Sequence, residues 1–164
     1  MNYKTDKSLF NSLYQQYHAM VLQMCLGFVK GDHDLAKDLS QDVFINTWNA
    51  LSKFRGASSY KTWIYRITVN TCLKYIGAKQ NQKKLSIEEV NIPQEPESDD
   101  QEQHDKLYRA IGQLDKIDRL IIMMVLEETD YDEIAEVMGI SATNLRVKIH
   151  RARKTLKKIL ENER

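Results

Sequence analysis

Apolar residues recur along this chain at steps of three and four, the period of an amphipathic helix, and nowhere alternate as a half-buried strand requires. Over residues 8 to 30, Leu9, Leu13, Tyr17, Met20, Val21 and Met24 share one helical face. The tetrapeptide "GDHD" interrupts the pattern, and Asp32 or Asp34 is placed to cap a second helix over about 34 to 51. That helix gathers Leu35, Leu39, Val43 and Trp48 on one side, widened by Phe44 and Leu51. Its other side shows Asp38, Gln41 and Asp42, which as a pattern alone is a solvated face.

A polar, small-residue segment, "SKFRGASSYK", leads into a third helix over about 62 to 78. Here aromatic residues (Trp63, Tyr65 and Tyr75, with Tyr60 just before) mix with the cations Lys61, Arg66 and Lys74, and Lys79, Lys83 and Lys84 follow. Aromatic faces accept stacked bases and cations follow a phosphate backbone, so the mixture suits single-stranded nucleic acid. Core aromatics with solubilising cations would read the same way. Residues 104 to 128 predict two helices, one carrying Leu107, Ile111 and Leu114, the other the apolar "IDRLIIMMVLEE".

A short helix over 131 to 138 then turns Ile134, Ala135 and Met138 inward, and Asp130 with Glu133 has the spacing of a capping box. Gly139 suits the left-handed turn that ends it, and Ser141 caps the next helix. In that last helix Leu145, Ile149, Ala152, Leu156 and Ile159 form the buried stripe. The chain is expected to be all-α.

Charge adds what periodicity cannot. The formal net charge is only +1, from 24 Lys and Arg against 23 Asp and Glu. Residues 85 to 103 hold seven of those acids, both prolines, and no Lys, Arg or aromatic residue, so the rest of the chain balances at 24 cations against 16 acids, or +8. Such a composition favours an extended acidic tether, leaving two small helical domains independently placed. A second division lies near the C-terminus. From Asp130 to Gly139 there are four carboxylates and no cation; from Arg146 to Lys158 there are seven cations and no carboxylate.

A small residue at Ala135, glycine four later and leucine six after that fit a helix-turn-helix. The small residue lets two helices cross closely, the glycine makes the turn, and Leu145 anchors the second helix. That helix can then enter the major groove, where phosphates reward cations and base edges reward Arg. Arg146 and His150 lie on one exposed face with Val147, Arg151 and Lys154 beside them, and Ser141, Thr143 and Asn144 precede them. Val147 suits a thymine methyl and cannot hydrogen-bond a base edge. Lys157 and Lys158 lie further along, toward the backbone.

Other chemistry is not visible. Cys25 and Cys72 are far apart without a CxxC spacing and read as buried thiols, and His18, His33, His104 and His150 form no metal-ligand cluster. There is no Gly-rich phosphate loop, GxSxG or HExxH, so neither an enzyme nor a cofactor is expected. The longest apolar run, Leu120 to Leu126, is too short for a bilayer, and the N-terminus lacks a signal-peptide core. The expected location is the cytoplasm, with no membrane insertion.

Three segments in order, "DLAKDLSQDVFINTWNAL", "FRGASSYKTWIYRITVNTCLKY" and "YDEIAEVMGISATNLRVKIHRARKTL", resemble regions 2.1–2.2, 2.3–2.4 and 4.2 of sigma-70-family factors of the extracytoplasmic-function (ECF) group. The resemblance implies a region 2 domain at 1–84, an acidic linker at 85–104 and a region 4 domain at 105–164. It implies a factor that binds core RNA polymerase and directs promoter-specific initiation, with an anti-sigma factor as a further partner. Core docking would fall on Asp38, Gln41 and Asp42, which reverses their reading as a mere solvated face. The −10 element and strand opening would fall to Phe54, Arg55, Ser58, Tyr60, Lys61, Trp63, Arg66, Asn70 and Lys74. The helix after Gly139 would read the −35 element, and helices within 105–128 would meet the flap of the second large polymerase subunit. Leu114-Asp115 and Val147-Lys148 depart from the Leu-Pro and Ser-Arg of many relatives. The alternative is a helix-turn-helix regulator whose N-terminal half dimerises or senses a ligand.

Overall fold

The computed structural model describes residues 3–83 and 98–163. They form α1 (Tyr3–Phe28), α2 (His33–Ala50), α3 (Tyr60–Lys83), α4 (Asp99–Gly112), α5 (Lys116–Leu126), α6 (Tyr131–Met138) and α7 (Ala142–Asn162), with a 3-10 turn at Leu51–Lys53. No strand occurs among the described residues, and the fold is all-α.

Local chemistry sets most helix ends. Asp32, rather than Asp34, caps α2, its Oδ1 accepting the Leu35 N–H at 3.1 Å. Ser59 opens α3 by accepting the Thr62 N–H at 3.1 Å, so this helix starts before residue 62. Gly139 takes φ 67 at the end of α6, a left-handed conformation that side chains with a Cβ resist. Ser141 then accepts the Asn144 N–H at 3.1 Å and starts α7.

One cap departs from expectation. Asp130 makes no side-chain cap bond, and Glu133 does not close a capping box. Its carboxylate turns to α3 instead and accepts the Thr62 hydroxyl at 2.9 Å. Within α6, Val137 is buried alongside Ile134 and Ala135, and Met138 is only partly covered.

Helix α4 begins inside the stretch read as a tether. Ser98 caps it by accepting the Gln101 N–H at 3.2 Å, and Asp99, Asp100 and Glu102 fill its first turn. Carboxylates there are favoured by the positive end of the helix dipole, so these acids serve a helix start. The rest of the expected tether, through residue 97, lies outside the described residues.

The expectation of independently placed halves is corrected by the packing. Val21, Met24 and Phe28 of α1 and Ile64 and Val69 of α3 belong to one buried cluster with Ile111, Leu120, Met124, Ile134 and Leu145. Helix α1 packs on α4 and α5, and α3 packs on α6. The physical reason lies in α5, where Leu120, Ile121, Ile122, Met123 and Met124 are all buried in succession. A helix apolar on every side needs cover on every side, and α1 supplies the side that α4, α6 and α7 do not.

Polar groups tie the same junction. Arg119 of α5 donates Nε to the Leu114 carbonyl at 2.8 Å and Nη1 to the Phe28 carbonyl at 3.2 Å. It thereby satisfies a carbonyl at the open end of α1. His33 of α2 meets Asp105 of α4 at 3.4 Å. Cys25 and Cys72 are buried free thiols.

Candidate nucleic-acid interface

Helix α7 separates its two tasks by face. Leu145, Ile149 and Ala152 are buried, and Leu156 packs partly against the core. Ser141, Thr143, Asn144, Arg146, Val147, His150, Arg151 and Lys154 are all exposed, as are Lys157 and Lys158. The apolar stripe packs α7 against α5 and α6, so the basic face points outward as a rigid unit. Val147 is 42% exposed between cations, an apolar contact beside hydrogen-bond donors, which is the chemistry of a major-groove reader.

The second surface is built on α3 and the loop before it. Phe54 stacks on Tyr60 with ring centres 4.5 Å apart and lies 4.9 Å from the Trp63 ring. All three rings are half-buried, with Arg55 exposed and Ser58 half-buried in the loop between them. Beyond them Asn70 and Lys74 are exposed and Lys61 and Arg66 partly so. Thr62, Arg66, Asn70 and Lys74 form a row at steps of four, one turn apart along the helix. Tyr65 does not join this surface. It is fully buried, its hydroxyl 3.1 Å from that of Thr129, and burial raises its pKa above the ordinary 10.0. Its place in the aromatic mixture of this helix is corrected accordingly: it is core.

On α2, Asp38, Gln41 and Asp42 are exposed, and Ile45, at 57% exposure, continues their face. Asn46 donates to the Thr71 hydroxyl of α3 at 3.0 Å. Asp42, Ile45 and Asn46 line a groove of about 370 Å³ with Thr71, Lys74 and Tyr75, so the α2 and α3 faces meet at Lys74. Ile45 was legible only as an isoleucine out of phase with the apolar stripe.

The remaining contacts were invisible in the sequence. Glu136 of α6 accepts from Arg66 Nη2 at 2.9 Å, beside the bond from Thr62 to Glu133. A hollow of about 490 Å³ is lined by Asp130, Asp132, Glu133 and Glu136 with Thr62 and Arg146. Glu133 also faces α1: burial first, and this carboxylate second, push the Tyr17 hydroxyl above its ordinary value. No spacing rule links Thr62 to a residue 71 positions away.

These features define a helix-turn-helix protein with a second cluster of aromatic, amide and cationic side chains in its N-terminal half. Residues 13–82 match the family model for sigma-70 region 2, and residues 104–156 that for sigma-70 region 4. The RNA polymerase sigma factor YlaC of Bacillus subtilis is 31% identical over 161 residues, covering 93% of this chain and 92% of its own. The ECF RNA polymerase sigma-E factor of Escherichia coli K12 is 29% identical, covering 93% of this chain and 87% of its own. The solved structure of the sigma factor RpoE from Bartonella quintana, in complex with the anti-sigma factor NepR, superposes with a TM-score of 0.74 at 22% identity. That match covers 94% of this chain and 98% of the other, and it shows the fold.

The chain belongs to the sigma-70 family, in its ECF group, and is a factor directing promoter-specific initiation of transcription. The region 2 match decides against a regulator with a dimerising or sensing N-terminal half. The family is one of non-catalytic initiation factors. No helix among the described residues is long and apolar enough to cross a membrane.

Proposed function

We propose that this factor, organised as a region 2 unit at 1–84, a linker at 85–104 and a region 4 unit at 105–164, loads core RNA polymerase onto promoters through three surfaces, two in the first unit and one in the last. The exposed α2 face of Asp38, Gln41 and Asp42 docks on core polymerase, with Ile45 as its apolar anchor. The outward face of α7 reads the −35 element: Arg146, His150 and Arg151 at base edges, Val147 at a thymine methyl, Lys154 toward the phosphates, and Ser141, Thr143 and Asn144 at the helix start. The loop and α3 surface receives the −10 strand. Phe54, Tyr60 and Trp63 offer rings for unstacked bases, Asn70 an amide for a base edge, and Arg55, Ser58, Lys61, Arg66 and Lys74 partners for the backbone. The factor itself catalyses no reaction, and it works in the cytoplasm beside polymerase. An anti-sigma factor is a fitting regulator, since the Bartonella quintana relative was solved with one.

The observation that carries this reading is the pairing of two unlike surfaces on one chain. A basic recognition helix with no carboxylate from Arg146 to Lys158 suits duplex, and half-buried rings beside exposed amide and cationic side chains suit a separated strand. Transcription in vitro with core polymerase and genomic DNA fragments tests it. Promoter-specific transcripts that require this protein are expected, and they should fall on Asn70→Ala with core binding unchanged. Equal transcription with and without the protein would reject the reading.

A further inference from the structure

Thr47 of α2 and Thr68 and Thr71 of α3 spend their hydroxyl hydrogens alike. Each donates to the carbonyl one turn back, of Val43, Ile64 and Ile67, at 2.8, 2.8 and 2.7 Å. Thr71 also accepts from another helix, taking the Asn46 amide of α2 at 3.0 Å. With its hydrogen given to Ile67, the Thr71 oxygen can meet α2 only as an acceptor. That requirement fixes which end of the Asn46 amide turns inward: its NH2 group faces Thr71. Thr71 is 8% exposed and Asn46 is exposed, so the bond closes the outer edge of the α2–α3 contact.

The neighbours of this bond belong to two different surfaces. Asn46 follows Ile45 and stands one turn from Asp42 on the proposed docking face. Thr71 follows Asn70, and Lys74 comes next along the row that faces the strand. Asp42, Ile45, Asn46, Thr71 and Lys74 line the same groove of about 370 Å³. Deeper in, Leu39 and Val43 of α2 and Val69 of α3 lie in one apolar cluster. Apolar burial is non-directional, whereas a hydrogen bond has one good length and angle. The Asn46–Thr71 bond therefore sets the register of α3 against α2.

We infer that Asn46 and Thr71 are positioning residues for strand capture, holding the −10 strand helix in register on the helix that docks on core polymerase. This rests on the assignment of the α2 and α3 faces made above. Core polymerase fixes α2, while the separated strand must meet Asn70 and Lys74 on α3. An amide that reads a base has to be held within about 0.5 Å of its working place. Thr71, nearly buried, acts through Asn70 and Lys74 and not by touching the strand.

The factor is assembled with core polymerase on a genomic fragment that the wild type transcribes. Permanganate reads the unpaired thymines, and core affinity is titrated separately. Thr71→Val keeps the shape and removes the acceptor. It should lower the open fraction about fivefold, as the loss of one hydrogen bond implies, with core affinity within about twofold of wild type. Asn46→Ala should do the same, and the double variant should lose no more than either single one. Thr71→Ser restores the hydroxyl and should open promoters as the wild type does. Thr68→Val loses the same kind of bond within α3 and should leave opening unchanged.

Wild-type opening in Thr71→Val or Asn46→Ala, additive losses in the double variant, or equal loss in Thr68→Val would each overturn the positioning role. So would a parallel loss of core affinity in Thr71→Val, which marks a general loosening of the N-terminal half. Should Thr71→Val fail to fold, Asn46→Ala at its exposed site decides the matter together with Thr71→Ser. If the wild type with core transcribes no fragment, the functional reading falls and this inference with it. Normal wild-type opening with any of the adverse results overturns this inference alone.

Discussion

Tyr65 and Thr129 offer a direct measurement of how firmly the halves are joined. The two hydroxyls are 3.1 Å apart and 64 positions distant, Tyr65 at 0% and Thr129 at 4% exposure. Tyr65→Phe keeps the ring and removes one oxygen, so it leaves almost no cavity. What it costs is the hydrogen bond and the stranding of a buried threonine hydroxyl, about 1–2 kcal/mol. In a chain of this size each kcal/mol moves the melting temperature by about 2–4 °C, so a fall of roughly 2–8 °C is expected near neutral pH. Thr129→Val should cost a similar amount, and the double variant should show a coupling of about 1 kcal/mol in a denaturant cycle.

Alkaline pH supplies an internal control. The folded pKa of Tyr65 is raised above 10.0 by burial, so above pH 10 the unfolded chain loses this proton and the folded chain keeps it. Stability of the wild type should therefore fall with rising pH in that range, and this share of the slope should be missing in Tyr65→Phe. The gap between the two proteins narrows as pH rises. Circular dichroism melts at pH 7 and above pH 10 measure both effects. Equal melting at pH 7, with no coupling to Thr129→Val, would refute the buried junction.

Three further outcomes are expected. Arg146→Ala should cost about 1–3 kcal/mol on a −35-like duplex and relax choice at one position, whereas Lys157→Ala should weaken all duplexes alike and lower the salt slope by about 0.9; anisotropy titrations across salt separate the two. Asp38→Lys with Asp42→Lys should weaken core polymerase pull-down several-fold with helix content unchanged by circular dichroism. Asp118, whose Oδ1 has no hydrogen-bond partner in the protein, has its pKa raised from the ordinary 3.8 by burial, against the pull of Lys148. Its folded form prefers the proton, so its cost appears as pH rises through and above 3.8 and is fully present at neutrality. Asp118→Asn should accordingly gain roughly 0.5–1 kcal/mol at pH 7 and little below pH 4, by chemical denaturation.

Local rules carried the sequence far. The caps at Asp32 and Ser141 are short-range hydrogen bonds three residues long, and the turn at Gly139 needs only a residue free of a Cβ. The stripe Leu145, Ile149, Ala152 follows from the helical period, and the cations off that stripe had to face outward. The exposed basic face of α7 was therefore legible residue by residue. So was the exposed α2 side, because polar positions out of phase with an apolar stripe have nowhere else to go.

Tertiary structure decided what those rules do not encode. Periodicity told that Tyr65 lies on a helix, but its burial depends on Thr129 arriving from 64 positions away. The capping-box spacing at Asp130 was a sound local signal, and it lost because Thr62 offered Glu133 a better-placed donor across the junction. The acidic stretch at 85–103 reads by composition as a tether, yet its last acids begin α4. Above all, composition suggested two independent bodies, whereas the nearly all-round apolar surface of α5 needs α1 as well as its own neighbours. Which helix covers which is settled by how whole helices stack, and no local window of sequence contains that information.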